Sequence, residues 1–212
     1  MIQLLSDTKT GEDNFIFEKS LRKHGYKSIA GCDEVGRGPL AGPVVADAVV
    51  LPPLIDPSIY LDSKILSHKK REILALSLVK LGARIGVSFV SEKEIDRINI
   101  LQASLLAMKL ATENLEGEPV DFLLVDGKFE APVAIDQQAL IKGESKSASI
   151  AAASIIAKVK RDKFMTEMHE KYPVYNFAKN KGYPTKEHRI ALQKYGPCPI
   201  HRRSFNGVVN HA

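Results

Sequence analysis

Two acidic residues, Asp33 and Glu34, close an apolar run and are followed at once by Gly36, Arg37 and Gly38, in the stretch GCDEVGRGPLAGPVVADAVV that begins at Gly31. A third carboxylate, Asp126, ends a second apolar run, PVDFLLVDG, and is likewise followed by glycine. Each falls at or near the C-terminal end of a predicted strand, the edge where open α/β sheets build their sites. Carboxylates gathered there repel one another and stay together only if protonated or neutralised by a cation. An all-oxygen donor set selects hard ions such as Mg²⁺ or Mn²⁺, so the pattern predicts a metal site. Neighbours on a regular strand point to opposite faces, so Asp33 and Glu34 share one ion only if the strand breaks there. Gly36 and Gly38 are expected to supply that break. The same glycines let backbone N–H and C=O groups approach a ligand closely; taken alone, the tripeptide fits a tight turn with an exposed arginine equally well.

Stepping outward, KSIAGC reads as the strand that delivers Asp33, and Pro43 to Leu51 as a valine-rich second strand. SHKKREILALSLVKLG from Ser67 suits a helix ending at Gly82, and ARIGVSFV is the next strand. Ser91 and Glu94 form an S-x-x-E capping box, after which Leu101, Leu105, Met108, Ala111 and Leu115 keep helical spacing; one long helix is predicted. PVDFLLVDG is apolar almost throughout, hence a strand buried on both faces. QALIKGES reads as a weaker strand, Ser147 to about His169 as a helix, and a last helix as starting near Thr185. Residues 1–27 read as an N-terminal extension in which Phe15, Ile16 and Phe17 could dock as a short helix. The economical architecture is one α/β domain, residues 28–212, on a mixed sheet.

Composition narrows the function class. With 44% hydrophobic and 26% charged residues the chain can bury a core. Its longest apolar run, Ala148 to Ala157, is too short and too rich in serine to span a membrane. The N-terminus has no basic segment and meets Asp7, Glu12 and Asp13 early, so a cytoplasmic location is expected. Cys32 and Cys198, the only cysteines, predict reduced thiols. The net charge of +5 is unevenly spread: residues 1–139 carry 16 Lys and Arg against 20 Asp and Glu, whereas residues 140–212 carry 14 against 5. That basic block, net +9, reads as a polyanion-binding surface with nucleic acid as first candidate, or as a solvated face with no partner.

The segments GCDEVGRGPLAGPVVADAVVL, LDSKILS, INILQASLLAM, LLVDG, KGESKSASIAAASIIAKVKRD, NKGYPTKEH and HRRSF, in that order from about Ile29 to Phe205, resemble the ribonuclease HII family. The resemblance implies a ribonuclease H-like mixed sheet flanked by helices, with a helical C-terminal part. It also implies an Mn²⁺- or Mg²⁺-dependent endonuclease that hydrolyses the RNA strand of RNA–DNA hybrids. Single ribonucleotides embedded in duplex DNA would be cut on their 5′ side by two-metal chemistry, giving 3′-hydroxyl and 5′-phosphate ends. It makes Asp33, Glu34 and Asp126 metal ligands and adds Glu144 as the fourth, at a position where the family normally has aspartate. Gly36, Arg37 and Gly38 match the segment that reads the ribose 2′-OH, and Tyr183 the tyrosine that senses the same nucleotide. Lys64, Lys146, Ser149, Lys158 and Arg161 look like phosphate or strand contacts. The expected partners are hybrid and ribonucleotide-containing duplexes, with no membrane, no obligate protein partner and a monomeric state. His188 and His201 are expected on a helix face or in a turn rather than on DNA. Two rivals stand beside this reading. One is a binding module without catalysis, separable by metal-dependent turnover. The other is the related ribonuclease HIII, which carries an extra N-terminal domain for which about 27 residues leave too little chain.

Overall fold

The structure is a computed structural model that describes residues 14–52, 55–60 and 66–208. Its frame is a five-stranded sheet in the order β3-β2-β1-β4-β5, formed by β1 (Ile29–Val35), β2 (Val44–Val50), β3 (Arg84–Val90), β4 (Phe122–Asp126) and β5 (Asp136–Leu140). β1, β2 and β3 pair antiparallel, while β1–β4 and β4–β5 are parallel, so the sheet is mixed as expected. Helices α1 (Ile16–Lys23), α2 (His68–Lys80), α3 (Glu92–Ile98), α4 (Ile100–Glu113), α5 (Ala148–Lys171), α6 (Phe177–Asn180) and α7 (Lys186–Tyr195) surround it.

Alternation along the strands sends side chains to two cores. Ala30, Cys32, Ala46 and Ala48 pack with Ala103, Ala107, Met108 and Ala111 of α4. On the opposite face Val49 joins Leu74 and Leu78 of α2 and Ala152, Ile155 and Ile156 of α5. A third cluster, around Leu40, Met165, Tyr175, Phe177 and Leu192, builds the helical C-terminal part. The contact of α5 with β1 is close because Gly31 lacks a side chain: a Cβ there would lie 2.2 Å from the backbone of Ser149 and Ile150.

Three expectations are corrected. The strand carrying Asp33 and Glu34 does not break between them; β1 continues to Val35 in register with β2, Asp33 opposite Asp47 and Glu34 opposite Ala46. The ladder bonds outweigh the glycines, whose first left-handed residue is Gly36, at φ 96°. The long helix after Ser91 is two helices, because Asn99 adopts φ 68° and ψ 164° and its Oδ1 accepts from Leu101 N and Gln102 N, starting α4 afresh. The strand expected over QALIKGES lies earlier in sequence, at Asp136–Leu140, and Gly143–Ser145 is a single 3₁₀ turn. The short docking helix expected around Phe15–Phe17 is α1, whose Phe17 and Leu21 pack on Phe122, Leu124, Leu140 and Ile150. Glu18 is buried there, its Oε1 accepting from Ser147 Oγ (2.6 Å), Ser149 N (3.1 Å) and Ser149 Oγ (2.5 Å) at the start of α5.

Candidate active site

The parallel register that pairs Cys32 with Val125 puts Asp33 and Asp126 side by side one step further on, at the C-terminal ends of β1 and β4. Glu144 enters from the 3₁₀ turn that follows β5. Asp33, Asp126 and Glu144 each offer a carboxylate oxygen, and these oxygens lie within 4.8 Å of one another. The turn is fixed by a hydrogen bond from Gly143 N to Asp126 Oδ1 (2.6 Å), and Glu144 Oε2 accepts from Ser154 Oγ of α5 at 3.0 Å. Asp33 is only 4% exposed. Burial, followed by the charges of Glu34, Asp126 and Glu144, pushes its carboxyl well above the usual range, and a hydrogen bond from Ser154 opposes the rise. Such a site is poor in compensating charge, and a hard cation is what its oxygens fit.

Glu34 is not in that trio, since the unbroken strand turns it toward the other face. Its backbone N–H donates to Asp33 Oδ1 (2.7 Å) and its Oε1 accepts from Arg37 Nη1 (3.3 Å). Burial raises its pKa to about 7, with Arg37 opposing and Asp126 adding to the rise. It therefore borders the trio electrostatically.

Gly36, Arg37 and Gly38 follow directly, the last two exposed to solvent. Gly38 faces the ring of Tyr183: a Cβ at Gly38 would lie 3.7 Å from Tyr183 Cε1. Tyr183 is itself 40% exposed. A hydrogen bond from Leu40 N to Gly182 O (2.8 Å) ties the two segments together.

Other expected contacts divide. Lys146 is half-buried just after Glu144, and Lys158 is half-buried and ion-paired with Asp162 (2.7 Å). Ser149 and Arg161 are corrections: both are buried, with donors already engaged. Ser149 serves Glu18, while Arg161 donates to Pro43 O (3.0 Å), Lys181 O (2.9 Å) and Ala41 O (3.1 Å). Neither presents a donor to a phosphate; the close packing of α5 on β1 has enclosed them. Lys64 lies outside the described residues.

Sequence reasoning missed Ser154, whose only signal is a polar residue inside an apolar helical run, and the buried pair His188 and His201. The carbonyl of Tyr183 can only accept, so His188 Nδ1 donates to it at 2.9 Å. His188 Nε2 then accepts from His201 Nε2 (3.0 Å), and His201 Nδ1 accepts from Cys198 N (2.9 Å). This fixed chain of neutral rings supports Tyr183 from behind; their helix and turn positions are as expected, but their enclosure is tertiary.

Comparison with known proteins fits this geometry. A family model described as Ribonuclease HII matches residues 30–208. A Ribonuclease HII of Desulfotalea psychrophila is 60% identical over all of this chain and 94% of its own length. The crystal structure of ribonuclease H2 from Pyrococcus horikoshii OT3 superposes with a TM-score of 0.72 at 27% identity, covering 86% of this chain and 95% of that one. The RNase HII of Archaeoglobus fulgidus, solved in complex with PCNA, gives 0.63 at 26% identity over 79% and 86%. The mixed sheet, the carboxylates at its strand ends and these likenesses together place the chain in the ribonuclease HII family, with the ribonuclease H-like fold of a metal-dependent ribonuclease.

Proposed function

We propose that this chain hydrolyses the RNA strand of RNA–DNA hybrids and cuts on the 5′ side of a single ribonucleotide in duplex DNA, leaving 3′-hydroxyl and 5′-phosphate ends. The observation that carries the reading is the adjacency of two devices. Asp33, Asp126 and Glu144 converge within 4.8 Å, and three residues beyond Asp33 begins the Gly36–Gly38 segment that faces Tyr183. Asp33, Asp126 and Glu144, with Glu34 at their border, would hold Mg²⁺ or Mn²⁺, which when bound activates water and stabilises the leaving oxygen. Ser154 Oγ, beside Asp33, donates to Glu144 Oε2 and so holds Glu144 against the site. Gly36, Arg37 and Gly38 present backbone groups to the ribose, where the 2′-OH distinguishes RNA from DNA. The exposed face of Tyr183 supplies an aromatic surface for the same nucleotide. Lys146 and Lys158, together with Lys64, are the remaining proposed phosphate contacts.

The test is a DNA duplex holding one ribonucleotide, an all-DNA duplex of the same sequence and a continuous RNA–DNA hybrid, each with Mg²⁺ or Mn²⁺. Cleavage of the first and third but not the second supports the reading. Equal cleavage of the all-DNA duplex sinks it. The reading takes the chain to act as a monomer without an obligate protein partner, although the A. fulgidus relative was solved with PCNA. Size-exclusion of the pure protein and its turnover without added protein check that point.

A further inference from the structure

Arg202 is buried, and its guanidinium donates to three backbone carbonyls. Nη2 donates to Gly36 O at 2.6 Å, Nη1 to Arg37 O at 2.9 Å and Nε to Gly42 O at 2.9 Å. Arg161, also buried, treats the other side of the same loop alike through Ala41 O and Pro43 O, and reaches Lys181 O two residues before Tyr183. Among the described residues neither guanidinium has a carboxylate at ion-pair distance. Enclosing two cations beside each other is costly: burial lowers the pKa of Arg202 to about 9 and Arg161 adds to the drop, with the charges of Asp96, Tyr183 and Glu92 opposing it. An arrangement of that cost needs a compensating use.

The peptide geometry identifies one. In a trans peptide the C=O and the following N–H point in opposite directions, and the chain has no cis bond among the described residues. Holding the carbonyls of Gly36 and Arg37 inward therefore turns the amides of Arg37 and Gly38 outward. Among the described residues neither amide donates to a protein acceptor, and both residues are exposed. Arg202 also lies over the ring of Phe205, 5.0 Å from its centroid, which fixes the guanidinium plane. Gly36 has no room for a substituent: a Cβ would meet Arg161 Nε at 2.2 Å.

We propose that Arg202 is the positioning residue for ribose discrimination: its paired bonds to Gly36 O and Arg37 O aim two backbone amides at the 2′-oxygen, and Arg161 sets their distance from Tyr183. This deepens the ribonucleotide-reading function above and rests on it. Lysine keeps the charge of arginine but cannot reproduce the planar two-pronged donation.

The experiment measures cleavage and binding by wild type, Arg202→Lys and Arg161→Lys on the duplex with one ribonucleotide and on its all-DNA counterpart. Thermal unfolding and Mn²⁺ titration of each protein run in parallel. The expected result for Arg202→Lys is retained Mn²⁺ binding, an unchanged Kd for all-DNA duplex, and kcat/KM on the ribonucleotide duplex lower by about 10- to 100-fold. A folded Arg202→Lys protein with wild-type discrimination would overturn the proposal and leave Arg202 a support of the fold. If the lysine variants do not fold, the wild type decides by NMR. The Arg37 and Gly38 amide protons must shift on adding the ribonucleotide duplex under non-cleaving conditions and not on adding all-DNA duplex; equal response to both overturns the proposal. Absence of discrimination in the wild-type assays instead refutes the underlying ribonucleotide reading, before any variant is considered.

Discussion

Glu144 is the residue at which side-chain length matters most, because it reaches the trio from a separate turn and is held by Ser154 Oγ at 3.0 Å. Mg²⁺ requires near-octahedral oxygen geometry, whereas Mn²⁺ binds the same ligands more tightly. Glu144→Gln should lower kcat at least about 100-fold with either ion, since a neutral amide removes one anionic ligand. Wild type should favour Mn²⁺ over Mg²⁺, and Glu144→Asp should narrow that gap. A metal titration of kcat on one substrate for all three proteins decides, and full activity of Glu144→Gln would remove Glu144 from the ligand set. Asp47 poses a different problem. It is fully buried opposite Asp33 on β2, and among the described residues both of its carboxylate oxygens lack hydrogen-bond partners. Burial holds its carboxyl well above the ordinary range, and the charge of Lys160 only partly opposes this. Replacing an orphaned buried carboxyl with a small apolar group removes a desolvation cost of about 1–3 kcal/mol. Asp47→Ala should therefore raise Tm at neutral pH, as calorimetry would show, whereas a drop would mean that the cavity outweighs the relief.

Among the elements, α5 does the most to assemble the site. It runs along β1 so that Ser149 lies on Gly31, Ser154 bonds Asp33 and Arg161 lies on Gly36. Glu18 fastens α1 to the first turn of that helix, so α1 supports the turn that carries Glu144. The junction of α3 and α4 offers a cleaner test of element physics. Asn99, at φ 68° and ψ 164°, occupies backbone space that favours glycine, yet it caps α4 with its side chain. Asn99→Ala keeps the strain and loses the cap, and should cost about 2 kcal/mol in chemical denaturation. Asn99→Gly relieves the strain while losing the same cap and should cost less. Equal losses in both variants would show that the backbone at this junction relaxes freely.

At the scale of the whole molecule two solution properties follow. The basic last third, net +9, implies several phosphate contacts, so binding to a hybrid should weaken steeply with salt, each contact adding about −0.9 to the slope of log K against log salt. A flat salt response would reduce the block to a solvated face. The C-terminal part should also be the acid-sensitive one. Burial lowers the pKa of His188, and burial together with the neighbouring His188 lowers that of His201 from 6.5 to about 4. Below pH 6.5 the unfolded chain takes up protons that the folded rings refuse, so the stability present above 6.5 is lost as pH falls toward 4. For His201 that amounts to about 3 kcal/mol. Unfolding midpoints measured between pH 7 and 4 should fall accordingly, and His201→Gln should flatten the slope. An unchanged slope in that variant would place the acid sensitivity elsewhere.

Local pattern was enough for four of the five strands, most helices and the strand-end carboxylates. Those features depend on residues near one another in sequence: the valine-rich run of β2, the capping serines at 67 and 91, and the apolar run into Asp126. The family resemblance supplied Glu144 and Tyr183 by motif, before any geometry. What the sequence alone could not decide is which groups share a face and which become enclosed. The ladder between β1 and β2 kept Glu34 apart from the Asp33 trio, although the glycines beside it argued for a break. The Gly31 contact with α5 buried Ser149, and the loop around Ala41 and Pro43 buried Arg161, turning two expected phosphate donors into internal supports. Arg202 acquired its partners from residues more than 150 positions earlier in the chain. Hydrogen-bond pairing across such separations is set by the closed fold, because the cost of burying a guanidinium is offset only where the tertiary structure brings enough carbonyls to meet it.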